Sequence, residues 1–405
     1  MQVKSINRCS RWFVLLILTG LSACGLFDSE SEIAQPGGLI SDSLFFTYPT
    51  SSVQFIMDFI EFPDSIQPKY DVEVYRVLYT TTTPQGDVVT VSGILAAPAA
   101  TGSWPLVSIQ HGTEIRRLSS GYYNPMFYAP QALVTAAFGY VTIAADYLGL
   151  GISTDLHPYL YAPAEAAPVV DLIKAAQEVA RRENIELNGQ LFLVGYSEGG
   201  FVTLAAQREL EMRYASEIPI TASAPCAGPY DLLATAEYLL SSRDYYEHPG
   251  YLAYLFYAYD NIYGWHRIDQ IFQEPYASRI PDLLDGTKEM SEIDAALTPY
   301  LDRLLDSSFV ADFLSGRDSV FRQALRENSP LDWAPQVPTR FFHGTADSTV
   351  PYFNSVTAYD SLRARGATEV SLVPIPQADH QTALLPVMLQ VGAWFDSLKT
   401  QGGPS

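Results

Sequence analysis

The sequence predicts an α/β fold, a mostly parallel sheet flanked by helices and carrying an inserted helical cap. Three observations predict it. From about Val72 onward, short apolar runs alternate with segments whose apolar residues recur at helical spacing. Nearly every apolar run ends at a Gly, His or Asp, so polar residues gather at strand carboxyl ends, where ligands bind in such sheets. Between residues 227 and 335 the alternation stops, and a helical, tyrosine-rich stretch takes its place.

The chain of 405 residues opens on a segment that does not belong to the fold. Lys4, Arg8 and Arg11 precede the apolar run Trp12 to Leu18, which is too short for a permanent membrane span and reads as an export signal over residues 1–24. Leu21-Ser22-Ala23-Cys24 resembles the bacterial lipobox. That resemblance implies cleavage before Cys24, diacylation of its thiol and a lipid anchor in the bacterial cell envelope, at the outer membrane or cell surface. Residues 25–45 begin rich in Ser, Gly and acid and read as a flexible tether. Of the three cysteines, Cys9 leaves with the signal and Cys24 carries lipid, so Cys226 has no disulfide partner in the mature chain. The formal net charge is −21, and no basic run appears, which excludes a nucleic-acid partner.

The sheet domain is assigned to residues 46–226 and 336–405. Val72 to Thr80 and Val88 to Leu95 are rich in strand formers on either side of the turn Pro84-Gln85-Gly86-Asp87, so they form an antiparallel hairpin. Pro105 to Gln110, Tyr140 to Ala145, Gln190 to Val194, Ile220 to Ala224, Thr339 to Phe342 and Val370 to Pro374 are continuous apolar runs, as expected of strands buried on both faces. Helices are expected at Ala164 to Asn184, Glu198 to Tyr214 and Tyr352 to Arg365. In the cap, residues 227–335, the tyrosines from Tyr245 to Tyr263 either form the cap's own core or line an acyl pocket.

The motif Gly195-Tyr196-Ser197-Glu198-Gly199 follows the apolar strand ending at Val194 and opens a helix. That context marks a nucleophile elbow, a tight strand-to-helix turn that lifts a serine hydroxyl clear of the sheet. Small residues two before and two after the serine remove side chains that would clash, and Gly200 permits close helix packing. A serine hydroxyl needs a base, and the base an orienting acid. Of six histidines, His380 alone is late, in a loop and beyond a strand; His111 and His343 precede glycines at strand ends and suit backbone turns, while His157, His248 and His266 fall in loops or the cap. Asp347 follows the strand Thr339 to Phe342 and is the expected acid; Asp379, adjacent to His380, is its rival, and a turn or N-cap role is the bland alternative for Asp347. Two backbone N–H groups should receive the oxyanion: that of Glu198, and that of Thr113 in the loop Gln110-His111-Gly112-Thr113-Glu114, with Gly112 as its close rival. The Glu198 side chain suits the first turn of a helix and is given no further role. Asp146, at the end of its strand, is read as satisfying backbone donors. No cysteine pair, histidine pair or phosphate-binding loop points to a metal or cofactor.

Together, Gln110-His111-Gly112-Thr113, Asp146-Tyr147-Leu148-Gly149-Leu150-Gly151, the elbow through Gly200, His343-Gly344-Thr345-Ala346-Asp347 and Asp379-His380 resemble α/β-hydrolases of the secretory lipase family, in its lipase A-like branch. The resemblance covers most of residues 70–400. It implies an α/β-hydrolase fold, a cap over an acyl-binding tunnel and carboxylic ester substrates. Carried over by motif, it implies Ser197 as nucleophile, Asp347 as acid and His380 as base. The lipobox departs from a family of mostly free secreted proteins. A serine exopeptidase on the same fold, which would call for a buried acid cluster in the cap, and a non-catalytic binding lipoprotein are the alternatives to an esterase or lipase. Acyl chain length, the alcohol part of the substrate and oligomeric state leave no signature in the sequence.

Overall fold

A computed structural model describes residues 35–242 and 245–399. The export signal, Cys24 and the first part of the tether lie outside them. Nine strands form one sheet in the order β1-β2-β3-β5-β4-β6-β7-β8-β9. The first three, β1 (Leu39–Tyr48), β2 (Val72–Thr82) and β3 (Val88–Pro98), form an antiparallel meander whose β3 also pairs antiparallel with β5 (Val141–Ala145). From β5 across β4 (Ser103–Gln110), β6 (Glu186–Tyr196), β7 (Ala222–Cys226), β8 (Thr339–Gly344) and β9 (Val370–Ile375) every pairing is parallel. The fold is the α/β-hydrolase fold.

Strand β1 corrects the tether. Residues 39–45 pair with β2 rather than dangle, because Leu39, Ile40, Leu44, Phe45 and Phe46 are strand formers that outweigh Ser41, Asp42 and Ser43 once an edge is available. Arg76 of β2 lies 4.0 Å from the centre of the Phe45 ring, covering part of this exposed edge.

Helices cover both faces of the sheet, as parallel strands require. In β6, Leu191 and Leu193 pack in the same cluster as α3 (Ala162–Arg182) and α4 (Glu198–Arg213), whereas Phe192 and Val194 point the other way. On that second face lie α1 (Thr50–Phe59), α2 (Pro130–Ala137) and the C-terminal helix Leu384–Leu398. The cap contributes α5 (Leu232–Ser241), α6 (Pro249–Tyr263), α7 (Met290–Ala296), α8 (Ser307–Leu314) and α9 (Ser319–Glu327), together with shorter turns. Its own core is aromatic: Phe256 packs edge-on against Phe309 and Phe321, and Tyr259 stacks on Phe321. After the cap the chain re-enters the sheet at β8, followed by α10 (Phe353–Ala364), β9 and α11 (Leu384–Leu398).

The chain leaves β4 for β5 on one side and reaches β6 on the other, so the strand order reverses at β4. Beyond the carboxyl end of such a switch point lies the natural crevice for a ligand. The loop after β4 and the turn after β6 meet there.

Candidate active site

Ser197 occupies the turn between β6 and α4 with φ 62° and ψ −125°, a region that side-chain-bearing residues rarely adopt. The turn can be this tight because backbone meets backbone around it. A Cβ on Gly195 would collide with the Gly199 carbonyl, and one on Gly199 with the Gln110 carbonyl. The Ser197 N–H donates to the Cys226 carbonyl at 3.0 Å, anchoring the turn to β7. The Cys226 thiol is buried below it, and burial pushes its pKa up.

Three residues far apart in sequence converge here. The Ser197 Oγ lies 2.9 Å from His380 Nε2, and His380 Nδ1 donates to Asp347 Oδ2 at 2.6 Å. The remaining oxygen, Asp347 Oδ1, accepts the N–H groups of Thr349 and Val350 at 3.0 and 2.9 Å. Asp347 therefore fills both readings given to it, turn residue and partner of His380. Burial is the largest influence and opposes its ionisation, but the hydrogen bonds and the charge interactions of His343 and His380 together hold the carboxyl below its usual range. Asp379 turns outward instead, its Oδ1 accepting from Gln381 N, Thr382 N and Thr382 Oγ1 at 3.1, 2.8 and 2.7 Å.

His343 corrects the backbone-turn reading. It is fully buried; Nε2 faces Asp347 Oδ2 at 3.2 Å and the Val350 carbonyl at 2.9 Å, and Nδ1 faces Ser355 Oγ at 2.8 Å. Nε2 has only acceptors in reach, so it carries the proton and Nδ1 accepts from the serine. The four-residue spacing from His343 to Asp347 was a visible signal of this pairing. Tyr196, just before the nucleophile, carries no sequence signal of a role, yet its hydroxyl donates to the His380 carbonyl at 2.7 Å and fixes the loop that carries the ring.

The loop after β4 lies against the elbow. A Cβ on Gly112 would sit 3.9 Å from Ser197 Cβ, and Thr113 shares with Ser197 and Glu198 the wall of a small cavity. Glu198 is the first residue of α4, where N–H groups have no partner within the helix. His111 in this loop stacks on Tyr147 at 4.0 Å between ring centres, and the Tyr147 hydroxyl donates to the His111 carbonyl at 3.1 Å. Thr113 Oγ1 lies 3.1 Å from the Tyr159 hydroxyl. Asp146 accepts from Ser92 Oγ at 2.6 Å and from the Tyr122 N–H at 3.4 Å, so it ties the end of β5 to β3 and to the loop 119–124. The cavity beside Ser197 measures about 50 Å³. Tyr246 and Tyr251 line it with Leu239, Leu252 and Leu255, whereas Tyr254 and Tyr259 are buried in the packing beneath.

The sequence profile of the secretory lipases matches residues 130–397, more than half of the chain. The chain belongs to the secretory lipase family. Solved structures similar to this lipase-family chain include one from Legionella pneumophila, with TM-score 0.83 and 29% identity over 91% of this chain and 100% of that one. Another is the rice cell wall degrading esterase LipA from Xanthomonas oryzae, with TM-score 0.80 and 28% identity over 90% of this chain and 100% of that one. Candida antarctica lipase A in its closed state shares the fold, with TM-score 0.68 and 17% identity over 92% of this chain and 86% of that one. Among curated proteins, no sequence matches. No helix among the described residues is long and apolar enough to cross a membrane.

One further group in this lipase fold adds a contact to the helix-start reading of Glu198 and the loop reading of His157. Both side chains are buried, and the Glu198 carboxylate lies 2.9 Å from His157 Nε2, with Glu165 of α3 at 3.5 Å from the same nitrogen. Ligand atoms of all three lie within 4.8 Å of one another, the one group among the described residues with the make-up of a cation site. No sequence spacing announces it, since loop, helix and elbow supply one member each. Burial, and then the charge of Glu198, push the Glu165 carboxyl well above its usual range, although the Leu160 N–H donating to it opposes this.

Proposed function

We propose that this chain is a serine hydrolase of carboxylic esters working through an acyl-enzyme. The observation that carries the reading is the unbroken chain Ser197 Oγ, His380 Nε2, His380 Nδ1, Asp347 Oδ2 with links of 2.9 and 2.6 Å. In the first half-reaction the Ser197 oxygen attacks the ester carbonyl while His380 takes its proton, and the imidazolium so formed is stabilised by the Asp347 carboxylate. The oxyanion is received by the N–H of Glu198 and by the N–H of Thr113 or its neighbour Gly112. Collapse expels the alcohol, which takes its proton from His380. Water activated by the same ring then attacks the acyl-enzyme and frees the acid and Ser197.

Support comes from membership of the secretory lipases and from the likeness to the Xanthomonas oryzae esterase. An exopeptidase must hold a charged chain terminus. The buried cap acids Asp260 and Asp318 are both engaged by Arg267, and Glu165 and Glu198 are enclosed with His157, so neither pair is offered to a substrate. We also propose export with a lipid on Cys24; Cys24→Ser should then move the protein from the detergent phase to the aqueous phase in a partition assay.

The reading is tested by hydrolysis of p-nitrophenyl esters from acetate to palmitate, comparing the wild type with Ser197→Ala. Turnover that disappears in the mutant while its circular dichroism is unchanged is the expected result. Equal turnover by both proteins, or none by a folded wild type, contradicts it.

A further inference from the structure

The His157 ring stands where several tethers of the proposed oxyanion site meet. Its Nδ1 lies 2.8 Å from the Leu148 carbonyl and its Nε2 lies 2.9 Å from Glu198 Oε1. A carbonyl only accepts, so Nδ1 carries a proton, and Nε2 faces a carboxyl oxygen with which it must share a second one. On its flanks the ring stacks with Tyr147 and lies tilted against Tyr159, at 5.9 and 6.0 Å between ring centres. Those are the two tyrosines whose hydroxyls hold His111 and Thr113 in the loop after β4. Tyr254 of the cap closes the third side at 5.7 Å. One side chain thus touches Glu198, which supplies one oxyanion donor, and both tyrosines that brace the segment supplying the other.

We infer that His157 is a positioning residue for the oxyanion site, pairing the buried Glu198 carboxylate through a shared proton and fixing both donor segments about its ring. The inference rests on the ester hydrolase reading above. Its physical reason is electrostatic as much as steric. Negative charge develops on the substrate oxygen next to the first residue of α4, and an unpaired buried carboxylate there would oppose it. A proton shared with His157 removes that opposition. A tetrahedral divalent ion of the zinc type among His157, Glu165 and Glu198 is the competing account. Two ligand atoms on a tetrahedral ion at ~2.1 Å each stand about 3.4 Å apart, whereas His157 Nε2 and Glu198 Oε1 stand at 2.9 Å, a direct hydrogen bond. The geometry favours the proton.

His157→Phe keeps the ring and its stacking but loses both hydrogen bonds. The expected result is a fall in kcat per titrated active site of about 10²-fold, the loss seen when one oxyanion donor is withdrawn, with KM within about twofold. The rate of phosphonylation by a fluorophosphonate should fall in parallel. His157→Phe combined with Glu198→Leu should recover at least about tenfold of that loss, because the carboxylate beside the oxyanion donor is then gone. If His157→Phe fails to fold, His157→Gln, which keeps a donor toward Glu198, should show a loss of about tenfold. A merely structural residue would lower the fraction of titratable sites and leave kcat per site unchanged, and that result overturns the inference. So does one equivalent of a divalent metal in the wild type that Glu165→Gln removes. Wild-type ester turnover with His157→Phe unaffected sinks this inference alone. No ester turnover by the wild type, with phosphonylation still slowed in His157→Phe, sinks the substrate reading alone.

Discussion

At the scale of single residues, the two neighbouring acids near His380 make the sharpest contrast. Asp347 gives one oxygen to His380 and the other to two backbone N–H groups, so its position is fixed from both sides. Asp379 spends its Oδ1 on its own turn and has no hydrogen bond to the ring. Asp347→Asn should therefore lower kcat by about 10⁴-fold, because an amide cannot hold the tautomer that leaves Nε2 free to take the serine proton. Asp379→Asn should stay within about fivefold, since an amide oxygen can still accept from the turn. Steady-state rates on a short p-nitrophenyl ester check both, and a reversed order would move the acid to Asp379. At this scale the sequence was most informative about residues at strand ends and least about side chains that meet across the fold. His157 and Glu198 lie 41 positions apart, on a loop and on a helix, and nothing in either segment alone predicts their contact.

At the scale of elements, the elbow is held by the distance between β6, α4 and β4. Gly199 sits against the Gln110 carbonyl, so an added methyl cannot be absorbed by a side-chain shift and must push helix from strand. Gly199→Ala should cost about 1–3 kcal/mol as overpacking does, seen as a lower midpoint in urea, and should cut kcat more than it raises KM, because Ser197 and Glu198 move together. An unchanged midpoint would contradict the close approach. The strands were legible because a sheet covered on both faces demands continuous apolar runs, as in Leu191 to Val194. Strand β1 was not, because an edge strand exposed along most of its length needs no such run. Its pattern, interrupted by Ser41, Asp42 and Ser43 and by register shifts near Leu39 and Leu44, looks like a linker until β2 is there to pair with it. The cap was legible as helical and aromatic, but which tyrosines reach the cavity depended on how α5 and α6 cross the elbow.

At the scale of the whole molecule, an acidic chain builds its site among buried carboxyl groups, and its stability must depend on pH. Burial, then the charges of Glu289 and Glu198, raise the Glu114 carboxyl to about 8. Unfolded, the same group titrates near its ordinary value of ~4.3. The folded state therefore binds more protons between these values, so Glu114 stabilises fully below the unfolded value, and that contribution is lost as pH rises to about 8. Glu114→Gln should raise Tm relative to the wild type at pH 9 and not at pH 5; an equal difference at both would contradict the assignment. The acids at the site and its cap thus bear on folding as well as on chemistry, with Arg116 on one protein segment meeting Glu289 of the cap at 2.8 Å.

In the proposed mechanism Ser197 is a nucleophile made reactive by His380 and Asp347. The measurement that tests it most directly is labelling of the folded protein by a fluorophosphonate, followed by peptide mapping, in the wild type, His380→Ala and Asp347→Asn. One label per chain is expected, on the peptide holding Ser197, formed rapidly in the wild type and slowed by orders of magnitude in both variants. No label, a label on another residue, or equal rates in all three proteins would contradict it.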